Sequence, residues 1–509
     1  MRSVESPYLP AALPGKRFVT LGIVPGRNAE PGQHGWRRFI CLLFIYMTFE
    51  GVLRRSLPLY NLQVLLLKDA ALAIFYAYYL LCVYPTLPRW RNRDRLMTVL
   101  AFLFAGVNAM GMARVGHYGM IPVVLGLKAN FWYVPMFFIG RRYFTSFRQI
   151  RQFWSRLAWL LVPVLIVAIW QLFFGSFSPL AVPTGTVDAA SWAAAGAGTL
   201  RNNTDGTLIA TVASTFYGSR LALFAAVWLV LMTVLCITDH NRVSFLRLPY
   251  MYVAFACALV SVFVSANRTA VGLSIFCVAI LVAGAGIRQS SRFLTRLAAI
   301  GALAAMVAVS CRTVLPYDAV ENKLHEFSAF FSGLLDAPSR DVQGSRYSVI
   351  GADIIRGIEF SLAEAGPFGR GLGLITQGAV YINAEAQPVF DVQKSRDAQA
   401  DSQWVRLIIE LGIPGLVLYL AIAFRLLWRA LRETIRVRRG SRMDGLTAAL
   451  GPLLLFLYLG FAHKHAGFAI DPMLQCYVFF TAGAVLGVAA REGSSPQGRP
   501  LATPAFPGV

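Results

Sequence analysis

Apolar residues come in long blocks along this chain, separated by short polar segments dense in arginine. The blocks run to about 16–23 residues, near the length at which a helix crosses a bilayer. They predict about twelve membrane-spanning helices, at 38–53, 62–84, 96–112, 121–140, 157–175, 216–238, 249–266, 269–287, 297–312, 403–424, 446–462 and 472–490. Two intervening segments are long. Residues 176–215 are rich in Ala, Gly, Thr, Ser and Asn. Residues 313–402 carry more acidic than basic residues, against the trend of the chain. Within that second segment apolar residues recur at helical spacing from Tyr347 through Ile350, Ile354, Ile358 and Leu362. "GPFGRGLG" at 366–373 then ends the pattern. The expectation is a small helical lid over one face of the bundle.

Composition narrows the class. With 57% hydrophobic and only 14% charged residues, the chain does not read as a soluble domain. It reads as an all-α polytopic membrane protein. The expected organisation is a cytoplasmic tail at 1–37, helices one to nine over 38–312, an extracytoplasmic loop at 313–402, helices ten to twelve over 403–490, and a second cytoplasmic tail at 491–509. Residues 1–36 are Pro/Gly-rich and mostly polar, so no cleavable signal peptide is expected.

A net charge of +22 raises the question of nucleic acid. The distribution of that charge answers it. "RWRNRDR" at 89–95, "RRYFTSFRQIRQFWSR" at 141–156, "RQSSRFLTR" at 288–296 and "RLLWRALRETIRVRRGSR" at 425–442 all fall on one side of the layout. This is the positive-inside pattern, so both termini are expected to be cytoplasmic and no nucleic-acid partner is expected. Cys41, Cys82, Cys236, Cys257, Cys277, Cys311 and Cys476 lie mainly inside apolar blocks without metal-ligand spacing, and read as small core hydrophobes. No internal repeat of the transporter kind is visible.

Candidate chemistry lies in the charges that break the topological bias. Arg54, Arg55, Arg114, Arg220, Arg268, Arg346 and Arg406 fall on the opposite side from the basic loops. Arginine holds phosphate oxygens in a planar fork with a charge it does not lose. Each can also snorkel or pair with a local acid. Arg114 and Arg406 read as locally satisfied, Arg54 and Arg55 fit either role, and Arg268 and Arg346 read as ligand contacts. Lys68 and Asp69 are neighbours and so point to different faces of one helix, and Lys128 lies inside another. An internal ion pair and a substrate contact both account for them. Asp401 precedes a long apolar helix, where it serves either as a base or as a helix cap with Ser402. His463 and His465 in "HKHAGFAIDP" could approach one ligand, but without further clustered ligands no metal site is expected. "GRGLG" follows no expected strand, so it does not read as a nucleotide loop. No kinase, P-loop or Ser-His-Asp pattern appears.

Four pieces, in order, carry a resemblance: "SANRTAVGLSIFCVAILV", "GSRYSVIGADIIRG", "PFGRGLGL" and "DSQWVRLIIELGIPGLVLYL". The last has nine residues between Ser402 and Gly412 and then "GIPG". Over 250–425 the chain resembles the O-antigen ligase and Wzy-type polymerase superfamily of membrane glycosyltransferases. "FEGVLRRSLP" and "LLLKDAAL" look like pieces shared by some exopolysaccharide-associated members. The resemblance implies a GT-C-like fold in the bacterial inner membrane and a polyprenyl-diphosphate-linked glycan as donor and acceptor. It implies no cofactor and no metal, and leaves a chain-length regulator as a candidate partner. By this analogy Arg268 and Arg346, with Arg220, Arg54 and Arg55, hold the diphosphate, and Asp401 is the catalytic residue. The ligases carry His where Asp401 stands, which favours the polymerases. A ligase transferring finished glycan to lipid A core or protein is the alternative. A flippase for lipid-linked oligosaccharide is the alternative from another class; it would need charges lining a central cavity.

The layout has a direct check. Reporter fusions at Gln393 and Gly440 are expected to report opposite sides of the membrane, and finding both on one side overturns it.

Overall fold

The structure is a computed structural model that describes residues 33–56, 60–86, 95–115, 120–174, 200–202, 208–210, 220–238, 244–245, 248–265, 267–312, 357–374, 402–464, 469 and 471–492. The helices in chain order are α1 (Gln33–Ser56), α2 (Asn61–Tyr78), α3 (Arg95–Val115), α4 (Met120–Phe131), α5 (Pro135–Tyr143), α6 (Phe147–Leu157) and α7 (Leu161–Phe174). They continue with α8 (Arg220–Ile237), α9 (Tyr250–Val264), α10 (Arg268–Ala285), α11 (Ile287–Arg312) and α12 (357–365). The last four are α13 (Gln403–Gly440), α14 (Arg442–Ala448), α15 (Leu450–Lys464) and α16 (Pro472–Glu492). Two short antiparallel pairings, Leu200–Asn202 with Leu208–Ala210 and Ser244–Phe245 with Leu248–Pro249, are the strands among the described residues.

Every apolar block contains helix, as burying backbone polar groups in hydrocarbon requires. Seven stretches among the described residues are long and apolar enough to cross a membrane, which makes this a multi-pass helical membrane protein. Three shorter apolar helices accompany them. One segment expected as loop is ordered: "RRYFTSFRQIRQFWSR" contains α6. The reason is amphipathicity. Phe147, Ile150, Phe153, Trp154 and Leu157 form one buried face, and Ser146 caps the helix by accepting from the Gln149 N–H.

The arginine-rich segments gather at one end of the bundle. Arg142 lies over the Tyr84 ring at 4.9 Å, and Arg296 over Tyr252 at 5.5 Å. Arg151 binds Asp444 at 2.8 Å, and Arg438 donates to the Gly284 carbonyl at 3.1 Å. Arg491 donates to the Phe144 carbonyl. Between the ends sits an aromatic core of Phe44, Phe153, Trp154, Trp228, Tyr477 and Phe480, joined by edge and stacked contacts. α5 and α16 approach backbone to backbone. A Cβ at Gly483 would lie 2.0 Å from the Phe137 carbonyl oxygen, and one at Gly487 would lie 2.2 Å from that of Arg141. Small residues four apart permit this approach where hydrophobicity alone drives no association between helices.

α13 is not one straight rod. Gly412 has φ 75° and ψ −172°, outside the helical region. The rings of Trp404 and Tyr419 are 6.0 Å apart. Fifteen residues of unbroken helix would separate them by about 22 Å, so the chain folds back at Gly412. The arms are 403–411 and 413–440. The sequence reading of 403–424 as one span did not anticipate this.

The 366–373 turn fills the fold-back. Arg370 N–H donates to the Ile409 carbonyl at 2.8 Å, Gly371 N–H to that of Glu410 at 3.1 Å, and Ile413 N–H to that of Pro367 at 2.9 Å. Leu372 N–H reaches the Gly111 carbonyl of α3 at 3.1 Å. A Cβ at Gly412 would lie 2.4 Å from the Pro367 oxygen.

Gly412→Ala is therefore expected to lose most folded protein. It combines the penalty of about 1–3 kcal/mol for a side chain in a backbone region that essentially only glycine occupies with a backbone clash that nothing flexible relieves. Gly440→Ala, with open space around it, is the matched control. Thermal stability of the two variants in detergent is the measurement.

Candidate active site

The expected site residues divide by what the structure describes. Arg54 and Arg55 lie in the last turn of α1, Arg220 opens α8 and Arg268 opens α10. Their side chains are not among those described. The packing of the same helices at the arginine-rich end puts these four positions toward the opposite end. Asp401 and Arg346 lie outside the described residues, as do His465, 313–356 and 375–401.

Among the described residues, three acid–base pairs lie within the apolar helices. Lys68 donates to both carboxylate oxygens of Glu50 at 2.9 Å, and the two side chains are 0% and 2% exposed. Lys128 pairs with Asp69, whose other oxygen accepts from the Tyr133 hydroxyl at 3.2 Å. Lys68 and Asp69 thus do point to different partners on different helices. In the third pair, Arg406 Nε lies 3.9 Å from Glu410 Oε2, one turn along the short arm of α13. Arg406 also donates to Asn130 Oδ1 at 2.5 Å, and Asn130 in turn donates to Asn108 at 3.0 Å. Arg114 donates to the carbonyls of Phe368 and Gly369 and holds the 366–373 turn to the end of α3. Local satisfaction of Arg114 and pairing of Arg406 with an acid are what the sequence suggested.

The short arm enters the protein by its N-terminus. Gly412 lies beside the 366–373 turn near the last residues of α3. Leu411 packs one turn earlier, where a Cβ on Gly111 would lie 3.0 Å from it. Trp404 lies instead beside Tyr419 and His463, and Arg406 beside Asn130. The arm therefore leads from an interior N-terminus, capped by Ser402 accepting from the Val405 N–H at 3.3 Å, up to the turn. A helix begun inside the bundle brings its unpaired N–H groups and positive dipole end with it.

Trp404 Nε1 donates to His463 Nδ1 at 2.9 Å. Indole nitrogen only donates, so neutral His463 carries its proton on Nε2. Gln403 is 2% exposed, and its side-chain oxygen has no hydrogen-bond partner among the described residues. Arg406 Nη1 is buried in the same state. Among the described residues no three His, Cys, Asp or Glu side chains come together.

Sequence reasoning missed Glu50, Glu410, Asn108, Asn130 and Trp404. Two had a usable signal. An acid inside an apolar block calls for a partner, and Glu410 stands four residues from Arg406, on the same helix face. The asparagines and Trp404 carried none, because their roles depend on which helices meet.

No protein-family model matches the chain, and no curated protein matches it. What fold and site define is a multi-pass helical membrane protein with a folded-back helix whose N-terminus lies inside the bundle.

The Lys68–Glu50 pair is expected to behave as an energetically coupled pair. Lys68→Met should destabilise by about 3–5 kcal/mol by stranding a buried carboxylate, whereas Lys68→Met with Glu50→Leu should restore most of the loss. Thermal shifts of the single and double variants in detergent measure the coupling.

Proposed function

We propose that the protein is a membrane glycosyltransferase that polymerises polyprenyl-diphosphate-linked oligosaccharide repeat units into a surface polysaccharide, in the bacterial inner membrane. The observation that carries this reading is the interlock at Gly412. "PFGRGLGL" and "DSQWVRLIIELGIPGLVLYL" are two pieces of the resemblance, and they make one hydrogen-bonded unit although residues 375–400 separate them in the chain. That the two pieces meet in one unit supports reading them together.

In the proposed reaction an acceptor sugar hydroxyl attacks the anomeric carbon of a lipid-linked glycan. The bond from that carbon to the diphosphate breaks, and the diphosphate leaves with the electron pair. Arg268 and Arg346, with Arg220, Arg54 and Arg55, stabilise the leaving charge as fixed cations. Asp401 accepts the hydroxyl proton. In sequence it immediately precedes Ser402, the cap of the helix, and a helix N-terminus favours a carboxylate over its protonated form. The chain-length regulator is a candidate partner in this scheme. The buried acids and bases described above pair with one another, which supports the enzyme over the flippase.

The test uses cells lacking the native gene, with polymer length read on a gel and protein level on a blot. Arg268→Ala and Arg346→Ala are each expected to remove polymer at unchanged protein level, a loss of about 1.5–3 kcal/mol per charge-assisted contact. Arg268→Lys should restore only part, lacking the fork. Asp401→Asn leaves the Ser402 cap in place and loses the base, so the rate should fall about 10²–10⁴-fold. Wild-type ladders from Asp401→Asn would remove Asp401 from the catalytic step.

A further inference from the structure

We propose that the arginine-rich end of the bundle carries a binding site for the headgroup phosphate of an anionic phospholipid, built by Trp36, Arg37 and Tyr79. The site lies apart from the residues assigned to glycosyl transfer and does not rest on that reading.

Three segments bring the site together. Trp36 and Arg37 lie in the first turn of α1. Tyr79 begins the π-helical turn Tyr79–Val83 into which α2 runs. Such turns interrupt a regular helix and recur at functional sites. The rings of Trp36 and Tyr79 lie 5.7 Å apart, and the ring of Tyr143, the last residue of α5, lies 5.2 Å from Trp36. The Arg37 guanidinium carbon is 5.6 Å from the centre of the Trp36 ring and 5.6 Å from that of Tyr143. Contact with two rings restrains the charged fork. The Tyr143 hydroxyl donates to the Arg37 carbonyl at 3.1 Å and restrains the backbone as well.

This cluster has donors and lacks an acceptor. Trp36 and Tyr79 are 3% and 5% exposed. Trp36 Nε1, Arg37 Nε and the Tyr79 hydroxyl are buried without a hydrogen-bond partner. Arg151, at the same end, shows the contrast, since Asp444 closes it at 2.8 Å. Arg37 has no such acid among the described residues. Indole and guanidinium nitrogens only donate, and a phenol can. Buried polar groups are nearly always paired, so three orphans in one cluster of touching side chains call for a ligand with several acceptor oxygens. The permanent charge of Arg37 makes that ligand an anion, and its planar fork matches phosphate.

The surroundings point to a lipid as the source. Leu80 and Leu81 directly follow Tyr79, Leu42 stands farther along α1 from Trp36, and all three are exposed. A phospholipid sets its phosphate against the donors and its acyl chains against these leucines, whereas free phosphate uses only the first. Basic pockets between membrane helices take anionic headgroups in this way, and Trp and Tyr collect at the headgroup level.

The experiment titrates the full-length, detergent-solubilised protein with phosphatidylglycerol, phosphatidylcholine and inorganic phosphate, and counts adducts by native mass spectrometry. The wild type is expected to bind its first phosphatidylglycerol in preference to phosphatidylcholine, whose headgroup carries no net charge. Arg37→Gln should weaken that first site about tenfold, equivalent to about 1.4 kcal/mol, and Arg37→Lys should recover only part, lacking the fork. Trp36→Phe and Tyr79→Phe keep an aromatic ring and remove one donor each. Each should weaken the site by less, at an unchanged melting temperature, and they carry the test if Arg37→Gln does not fold. Arg432→Gln removes an exposed arginine of α13 and should leave the first site unchanged. Equal affinity for the two lipids overturns the proposal. So does an equal loss in Arg432→Gln, which makes binding a diffuse effect of charge. Undiminished phosphatidylglycerol binding in both phenylalanine variants overturns it too, as does a loss in Arg37→Gln confined to inorganic phosphate.

Discussion

The peptide groups freed at Gly412 are the constraint on which the rest of this structure turns. A helix broken inside a membrane protein releases N–H and C=O groups, and in hydrocarbon each one left unpaired costs several kcal/mol. Here the cost is met by another stretch of backbone. The Arg370 and Gly371 N–H groups take the carbonyls of Ile409 and Glu410, and the Ile413 N–H takes the carbonyl of Pro367. The turn and the break stabilise each other, and neither is tenable alone. Glycine is required on both sides, since a Cβ at Gly369 would lie 2.6 Å from Gly412 N.

The same interlock shapes the candidate site. The reversal points the N-terminus of the short arm inward, and this brings Trp404 to His463 and Arg406 to Asn130. A straight helix of the same sequence would carry Trp404 about 22 Å from Tyr419 and separate it from this cluster. Discontinuous helices whose half-helix ends meet the substrate are a recurrent means of building a polar site at membrane depth.

Charge is managed by a second rule, that a buried ion must bring its partner with it. Lys68 with Glu50 and Lys128 with Asp69 join α2 to its neighbours α1 and α4. Such pairs add little net stability compared with apolar residues of the same volume, yet losing one partner is costly. They therefore specify which helices meet more than how firmly. Close backbone packing at Gly140, Gly483 and Gly487 does the remaining work between α5 and α16.

The helical class was legible in the sequence, because the need to satisfy backbone groups in hydrocarbon acts on each apolar block by itself. The gathering of Arg142, Arg151, Arg296, Arg438 and Arg491 at one end was legible too, since alternation of block and basic segment is read along the chain. The sequence pattern also showed that the chain stops being regular at 366–373, but not that it does so at Gly412, which it read as part of one span. It did not show that these two irregularities answer each other, because their hydrogen bonds join residues far apart in sequence. Nor did it show the partners of Lys68, Asp69 and Arg406 or the bond between Trp404 and His463. Local patterns decide which residues form helices. Only the tertiary structure decides which helix ends meet, because that depends on contacts no single segment contains.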